Sequence, residues 1–179
     1  MLMTLLPHTS TPCAAVHTLQ VSITRSSKAD WQLQYTLQGD LNRLRLPALT
    51  PSHAADGLWE HTCFEAFIGA QGNSHYHEFN FAPSTAWAAY AFSDYRQRVA
   101  WDVPNAPVIT RQQTAQQLTV TVVLTDALLP ACPRGKSLQV GLTAVIEAAD
   151  GSKSYWALHH PSERPDFHHR DGLINEIWP

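Results

Sequence analysis

The run from Leu58 to Ser84, LWEHTCFEAFIGAQGNSHYHEFNFAPS, constrains this chain more than any other stretch. In a strand, successive side chains point to opposite faces. Thr62, Phe64, Ala66 and Ile68 alternate with His61, Cys63, Glu65 and Phe67. Beyond Ala70-Gln71-Gly72-Asn73, His77, Phe79 and Phe81 alternate with Tyr76, Glu78 and Asn80. A hairpin keeps one apolar side only if Phe64 shares a face with Phe79 or Phe81. Such registers put Glu65 and Glu78 together on the other face. A four-residue loop sets them directly opposite; a slip of two sets Glu65 against Asn80, with Glu78 a diagonal neighbour. Like charges this close destabilise a sheet, so a proton, an arginine, a cation or a polar ligand is expected to offset them. If the site is dry, desolvation and the like-charged neighbour should raise the pKa of one carboxyl.

Strand signals continue on either side. Val16 to Ile23 is a short strand-like run, and Trp31, Leu33, Tyr35 and Leu37 alternate with glutamine and threonine as a half-buried antiparallel strand does. Leu41 to Leu46 is a further strand candidate, and Pro47 to Gly57 reads as a loop. Val108 to Arg111 and Leu118 to Leu124 flank a polar turn. Leu138 to Ala148 and Ser154 to His159 flank Ala149-Asp150-Gly151-Ser152, a hairpin signal. That turn is expected to set Ile146 opposite Tyr155 and Val145 opposite Trp156. Thr85 to Tyr95 is alanine-rich, yet Ala88, Tyr90 and Phe92 alternate with Trp87, Ala89 and Ala91, so a strand is expected. One short helical turn fits Thr125 to Pro133. Many short strands joined by turn chemistry indicate an all-β sandwich or barrel.

The chain has 179 residues, which suits one domain over 1–179. Its formal charge of −3, with no lysine or arginine block, argues against nucleic-acid binding. No apolar stretch approaches the ~20 residues of a membrane-spanning helix. MLMTLLPHTS lacks the basic start and long apolar run of a signal peptide, so a cytoplasmic location is expected. Three cysteines without CxxC spacing make a disulfide framework improbable, and Cys63 reads as a small hydrophobe.

The face carrying Glu65 and Glu78 also carries His61, Cys63, Phe67, Tyr76 and Asn80, a mixture that suits a pocket lining better than a wet surface. Trp59, Trp87, Tyr90, Trp101 and Trp156 are either core or platforms for a sugar ring. Trp87 is placed to close the pocket edge, and Arg96 to answer the glutamates. His75 and His77 form an HxH without an obvious third metal ligand. The C-terminal run HHPSERPDFHHRDG is a proline-broken loop that carries His159, His160, Glu163, Asp166, His168 and His169. It is either a loop folded back on the sandwich or a lid; His159, Asp166 and His168 are its metal candidates. No nucleophile with its base, P-loop or dinucleotide fingerprint is present, so a non-catalytic role is expected.

LWEHTCFEAFI, YHEFNFAPSTAWAAYAFSDYR and SYWALHHPSERPDFHH, with the earlier LLPH and GDLNRLRLP, together resemble the DOMON-like, CBM9-like bacterial domains over nearly the whole chain. The resemblance implies an immunoglobulin-like antiparallel β-sandwich of about nine to eleven strands that holds a sugar or haem. Some relatives are fused to a muramate-dehydrogenase-like enzyme, which hints at a cell-wall sugar; the partner enzyme here is unknown. Carried over residue by residue, the cleft comprises Glu65, Glu78, Asn80, Trp87 and Arg96, with His159, Asp166 and His168 on the C-terminal loop; His61, Tyr76 and Trp156 are further ligand-binding candidates. Haem domains of this kind use methionine with histidine or lysine. Here the methionines are Met1 and Met3, and Lys28, Lys136 and Lys153 sit in turn-like stretches. Haem is disfavoured, bis-histidine ligation through His159, His160 or His168 stays open, and no cofactor is expected. A small polar ligand, most simply a carbohydrate, is the favoured partner. An interaction module without a small ligand is the remaining alternative.

Overall fold

The computed structural model describes residues 1–26 and 30–177, so Lys28 lies outside it. The described residues form twelve strands: β1 (Leu2–Pro7), β2 (Val16–Arg25), β3 (Trp31–Gly39), β4 (Cys63–Ala70), β5 (Tyr76–Phe81), β6 (Trp87–Asp94), β7 (Gln97–Val99), β8 (Val108–Gln113), β9 (Gln117–Leu124), β10 (Leu138–Glu147), β11 (Lys153–Ala157) and β12 (Asn175–Ile177). They are hydrogen-bonded in the order β7-β6-β5-β4-β10-β11-β1-β2-β3-β9-β8, with β12 beside β10, and every strand pair is antiparallel. No helix among the described residues is long and apolar enough to cross a membrane.

β1 folds this path into two layers. Leu2 to Leu5 pair with β2, whereas Leu6 and Pro7 pair with β11, so one strand serves both sheets. The layers β2-β3-β9-β8 and β7-β6-β5-β4-β10-β11 then face each other across one core. Leu19, Leu33, Leu37 and Val120 come from the first layer; Phe64, Ile68, Phe79 and Leu142 come from the second. The architecture is the expected antiparallel immunoglobulin-like sandwich. Trp31, Leu33, Tyr35 and Leu37 all point inward, as their alternation requires. Tyr35 also donates its hydroxyl to the Glu65 carbonyl oxygen at 2.8 Å, which ties the layers together.

The second layer departs from an ordinary sandwich sheet because β4 is buried on both faces. Phe64, Ala66, Ile68 and Ala70 join the central core, while Phe67 on the other face packs with Tyr76, Tyr90, Phe92 and Leu173. The C-terminal segment covers this outer face. Gly141 makes the close approach possible: a Cβ there would lie 3.1 Å from the Gly172 carbonyl oxygen and 3.3 Å from Leu173.

Several expectations need correction. The central hairpin takes the slipped register, with Glu65 opposite Asn80 and Phe67 opposite Glu78. Ala70 stays in β4 because it pairs with Leu138, and the Gln71 N–H donates to the Ser137 carbonyl, so the turn starts later. In the Asp150-Gly151 hairpin, Val145 faces Tyr155, Ile146 faces Ser154 and Ala144 faces Trp156. The Ala148 N–H donates to Ser152, leaving a three-residue loop with Gly151 at φ +89°. This one-residue change swaps every side chain of β11 between faces relative to the expectation. Leu41–Arg43 is a 3-10 turn instead of a strand, opened by Asp40, whose carboxylate accepts the Asn42 N–H. Asp126–Leu128 supplies the short helical turn, and Trp87–Asp94 is the expected strand.

Candidate functional site

The outer face of the second layer holds a cavity of about 430 Å³. Strand parity supplies its floor: Glu65 and Phe67 from β4, Glu78 from β5, and Val145 from β10. Tyr90 and Phe92 of β6, Arg98 of β7 and Tyr155 of β11 continue the same face. Two irregular segments raise the walls. Gly57, at φ +73°, opens the 3-10 turn Leu58–Glu60, which brings Trp59 edge-on to Tyr90 at 5.9 Å between ring centroids. From the other side the C-terminal loop contributes Pro165, Phe167 and His168. Phe167 meets the rings of Phe67 and Tyr155, at 6.4 and 6.0 Å.

Hydrogen bonds fix the chemistry of the floor. Glu65 is 2% exposed, and its Oε2 accepts from the Thr143 hydroxyl at 3.0 Å. Glu78 is 6% exposed, and its Oε1 accepts from Asn80 Nδ2 at 2.7 Å. The Arg96 N–H donates to Tyr76 Oη at 3.2 Å, and Tyr76 Oη shares a hydrogen bond with His168 Nδ1, 2.8 Å away. His168 Nε2 faces Glu78 Oε2 at 3.6 Å. Burial, reinforced by the Glu78 charge and opposed by the Thr143 hydrogen bond, pushes the Glu65 carboxyl up to about 8. Burial also raises Glu78, with Asn80 and the two arginines pulling it back. His168 falls to about 4, through burial and then Arg96, with Asp166 opposing. At neutral pH Glu65 is therefore mainly a neutral acid and His168 a neutral imidazole.

Two arginines, Arg96 and Arg98, line the cavity. Arg98 lies over the Tyr90 ring at 3.9 Å from its centroid, and Tyr90 donates to Asp56. Arg96 answers Glu78 through its charge and not by direct contact: its guanidinium bonds Asp166 at 2.9 Å and Tyr95 at 3.2 Å. These contacts, with the Tyr95–Asp166 hydrogen bond of 2.7 Å, anchor the C-terminal loop beside the cavity.

Of the residues singled out in the sequence, Glu65, Glu78 and Arg96 line the cavity, joined by His168. Asn80 and Tyr76 stand behind it, orienting Glu78 and His168. Trp87 and Trp156 lie on the inner face, packed with the central core, and Trp156 Nε1 donates to Ser154. Neither tryptophan lines the cavity. His61 is outside it, bonded through Nδ1 to Glu147 at 2.7 Å. His159 is exposed beyond the end of β11.

The metal candidates also separate: Asp166 is held by Arg96 and Tyr95, and His168 by Tyr76. His75 bonds Asn73 outside the strand, while His77 faces inward and donates to the Leu128 carbonyl. Among the described residues, no group of three or more histidine, cysteine, aspartate and glutamate side chains is placed to hold a metal ion. Lys153 begins β11 and reaches the cavity. Trp59, Tyr90 and Phe67 were visible as aromatics in the sequence. Phe92, Arg98, Tyr155 and Phe167 were not marked as site residues.

No family model and no curated protein sequence matches the chain. Among solved structures, the chain is similar to a putative carbohydrate-binding protein from Bacteroides uniformis, with a TM-score of 0.69 and 14% sequence identity over 97% of this chain and 84% of that one. At that identity the likeness shows a shared fold.

Proposed function

We propose that the domain is a non-catalytic binding module for a carbohydrate or sugar-like metabolite, of DOMON-like, CBM9-like type. The outer-face cavity carries this reading. Its aromatic walls (Trp59, Tyr90, Tyr155 and Phe167) suit the C–H face of a sugar ring, and its floor carboxyls suit ring hydroxyls. Glu65, as a protonated acid, can both donate and accept. Its volume falls in the ~300–1,000 Å³ range of small-ligand clefts. The fold shared with the Bacteroides protein, whose description names carbohydrate binding, supports the same class.

The test is a titration of a panel of mono- and disaccharides, followed by tryptophan fluorescence and calorimetry, on the wild type and on Trp59→Ala. At least one sugar should saturate, and Trp59→Ala should weaken it about tenfold, ~1.4 kcal/mol. Saturable binding that Trp59→Ala leaves untouched would remove the site assignment. The reading involves no cofactor, nucleic acid or membrane; a haem absorption band in the freshly purified protein would overturn it.

A further inference from the structure

We propose that the sugar accepted by this cavity carries a protonated amine, seated between Glu65 and Glu78 against the aromatic walls. The inference rests on the carbohydrate reading and narrows its ligand class. Its starting point is a buried pair of carboxyls that, within the chain, is offset chiefly by the proton on Glu65. Two carboxyls, each more than nine-tenths buried, occupy diagonal positions on neighbouring strands at the floor of an open cavity. Burial of such groups is costly unless charge and hydrogen bonds offset it.

Within the chain, the offset is incomplete. Glu65 takes one hydrogen bond, from a threonine hydroxyl on Oε2, and Glu78 takes one from an amide on Oε1. Among the described residues, no lysine or arginine forms an ion pair with either carboxyl. His168 Nε2 stands 3.6 Å from Glu78 Oε2, too far for a hydrogen bond, and burial keeps the ring neutral at pH 7. The nearby arginines reach Glu78 only through their charge, since each has another partner: Arg96 holds Asp166 and Tyr95, and Arg98 lies over Tyr90 beside Asp56 at 3.9 Å. Glu78 Oε2 thus remains an acceptor at a space walled by rings, and Glu65 Oε1, which holds the carboxyl proton because Oε2 accepts from Thr143, becomes a second acceptor when a cation displaces that proton.

An ammonium group matches that space. It brings three N–H donors and a full positive charge, and aromatic faces such as Phe67, Tyr90 and Phe92 attract a cation electrostatically. A sugar hydroxyl supplies one donor without charge, and an acetylated amine does the same. A bare metal ion would find two carboxyls and no third ligand of its kind among the described residues.

Calorimetry at pH 7 with D-glucosamine, D-glucose, N-acetylglucosamine, D-glucuronate and cyclohexylammonium decides the matter on the wild-type protein. Glucosamine is expected to bind about tenfold or more tightly than glucose and N-acetylglucosamine. Glu78→Gln should collapse that ratio to below about threefold, and Glu65→Gln provides a second variant. Equal binding of glucose and glucosamine, or tighter binding of glucuronate, overturns the amine while the carbohydrate reading survives. If cyclohexylammonium alone binds, the cation subsite stands and the carbohydrate reading falls. If none of the five saturates, the proposal is overturned.

Discussion

Replacing Glu65 by glutamine removes an ionisable proton from the cavity floor while keeping the size of the side chain, and the consequence can be read in stability. The Glu65 carboxyl is raised from an ordinary 4.5 to about 8 in the folded protein, chiefly by burial. A raised folded pKa means that the native state holds its proton where the unfolded chain has released it. Stability from this group is therefore fully present below pH 4.5 and is lost as pH rises through 8. At ~1.4 kcal/mol per pH unit, the gap corresponds to about 5 kcal/mol in all, of which about 3 kcal/mol is gone by pH 7. Against a typical domain stability of ~5–15 kcal/mol, that is a large fraction.

Glu78, Cys63 and Tyr35 interact electrostatically with the same carboxyl and are kept in Glu65→Gln. The pH dependence of the difference between the two proteins therefore isolates Glu65 and its coupling to them. Urea denaturation followed by circular dichroism at pH 5, 6, 7 and 8 is the assay. Glu65→Gln should gain on the wild type by about 1 kcal/mol for each pH unit across this window. A difference independent of pH, or one of opposite sign, would refute the view that the floor acid is protonated and dry.

Three further outcomes follow from the same geometry. Trp156→Ala should cost about 3–5 kcal/mol in urea denaturation, because the indole is 4% exposed and packed in the central core. Asp166→Asn should change global stability by no more than about 1 kcal/mol, since its ion-pair partner Arg96 is half exposed. Its hydrogen exchange at residues 164–168 should nonetheless quicken, because Asp166 anchors the loop beside the cavity. Gly141→Val should lift the C-terminal segment off the sheet, because its branched side chain has no room beneath the Gly172 carbonyl oxygen at 3.1 Å. That variant should lose exchange protection over residues 167–173 and respond more weakly in the sugar titration.

Much of the sandwich was legible because strand parity is a local signal: the strands around Trp31–Leu37 and Leu58–Ser84 declare their inner faces by alternation. The shared face of Glu65 and Glu78 followed from the same rule and holds whichever register is taken. The route of the C-terminal loop was not legible, since it is set by which sheet face the chain crosses. One clue did lie in the chain: Gly69 and Gly141 interrupt strands β4 and β10 at outward positions, and a glycine within a strand marks close backbone approach.

The two misplaced tryptophans share one physical cause. Trp87 and Trp156 each follow a three-residue hairpin loop with the same hydrogen bonds. Ala82 donates to Ala86 and Thr85 to Ala82 in one; Ala148 donates to Ser152 and Gly151 to Ala148 in the other. The third loop residue is left-handed in both, Thr85 at φ +78° and Gly151 at φ +89°. An odd loop inverts the facing that an even loop would give to the strand after it. Trp87 therefore sits opposite Phe81 and Trp156 opposite Ala144, both inward, while Tyr90 and Tyr155 turn outward to the cavity. Gly151 announces such a loop in the sequence; Thr85 does not, because a threonine rarely adopts that conformation. The aromatic walls thus depend on two turns, only one of which carries a residue that reveals its geometry.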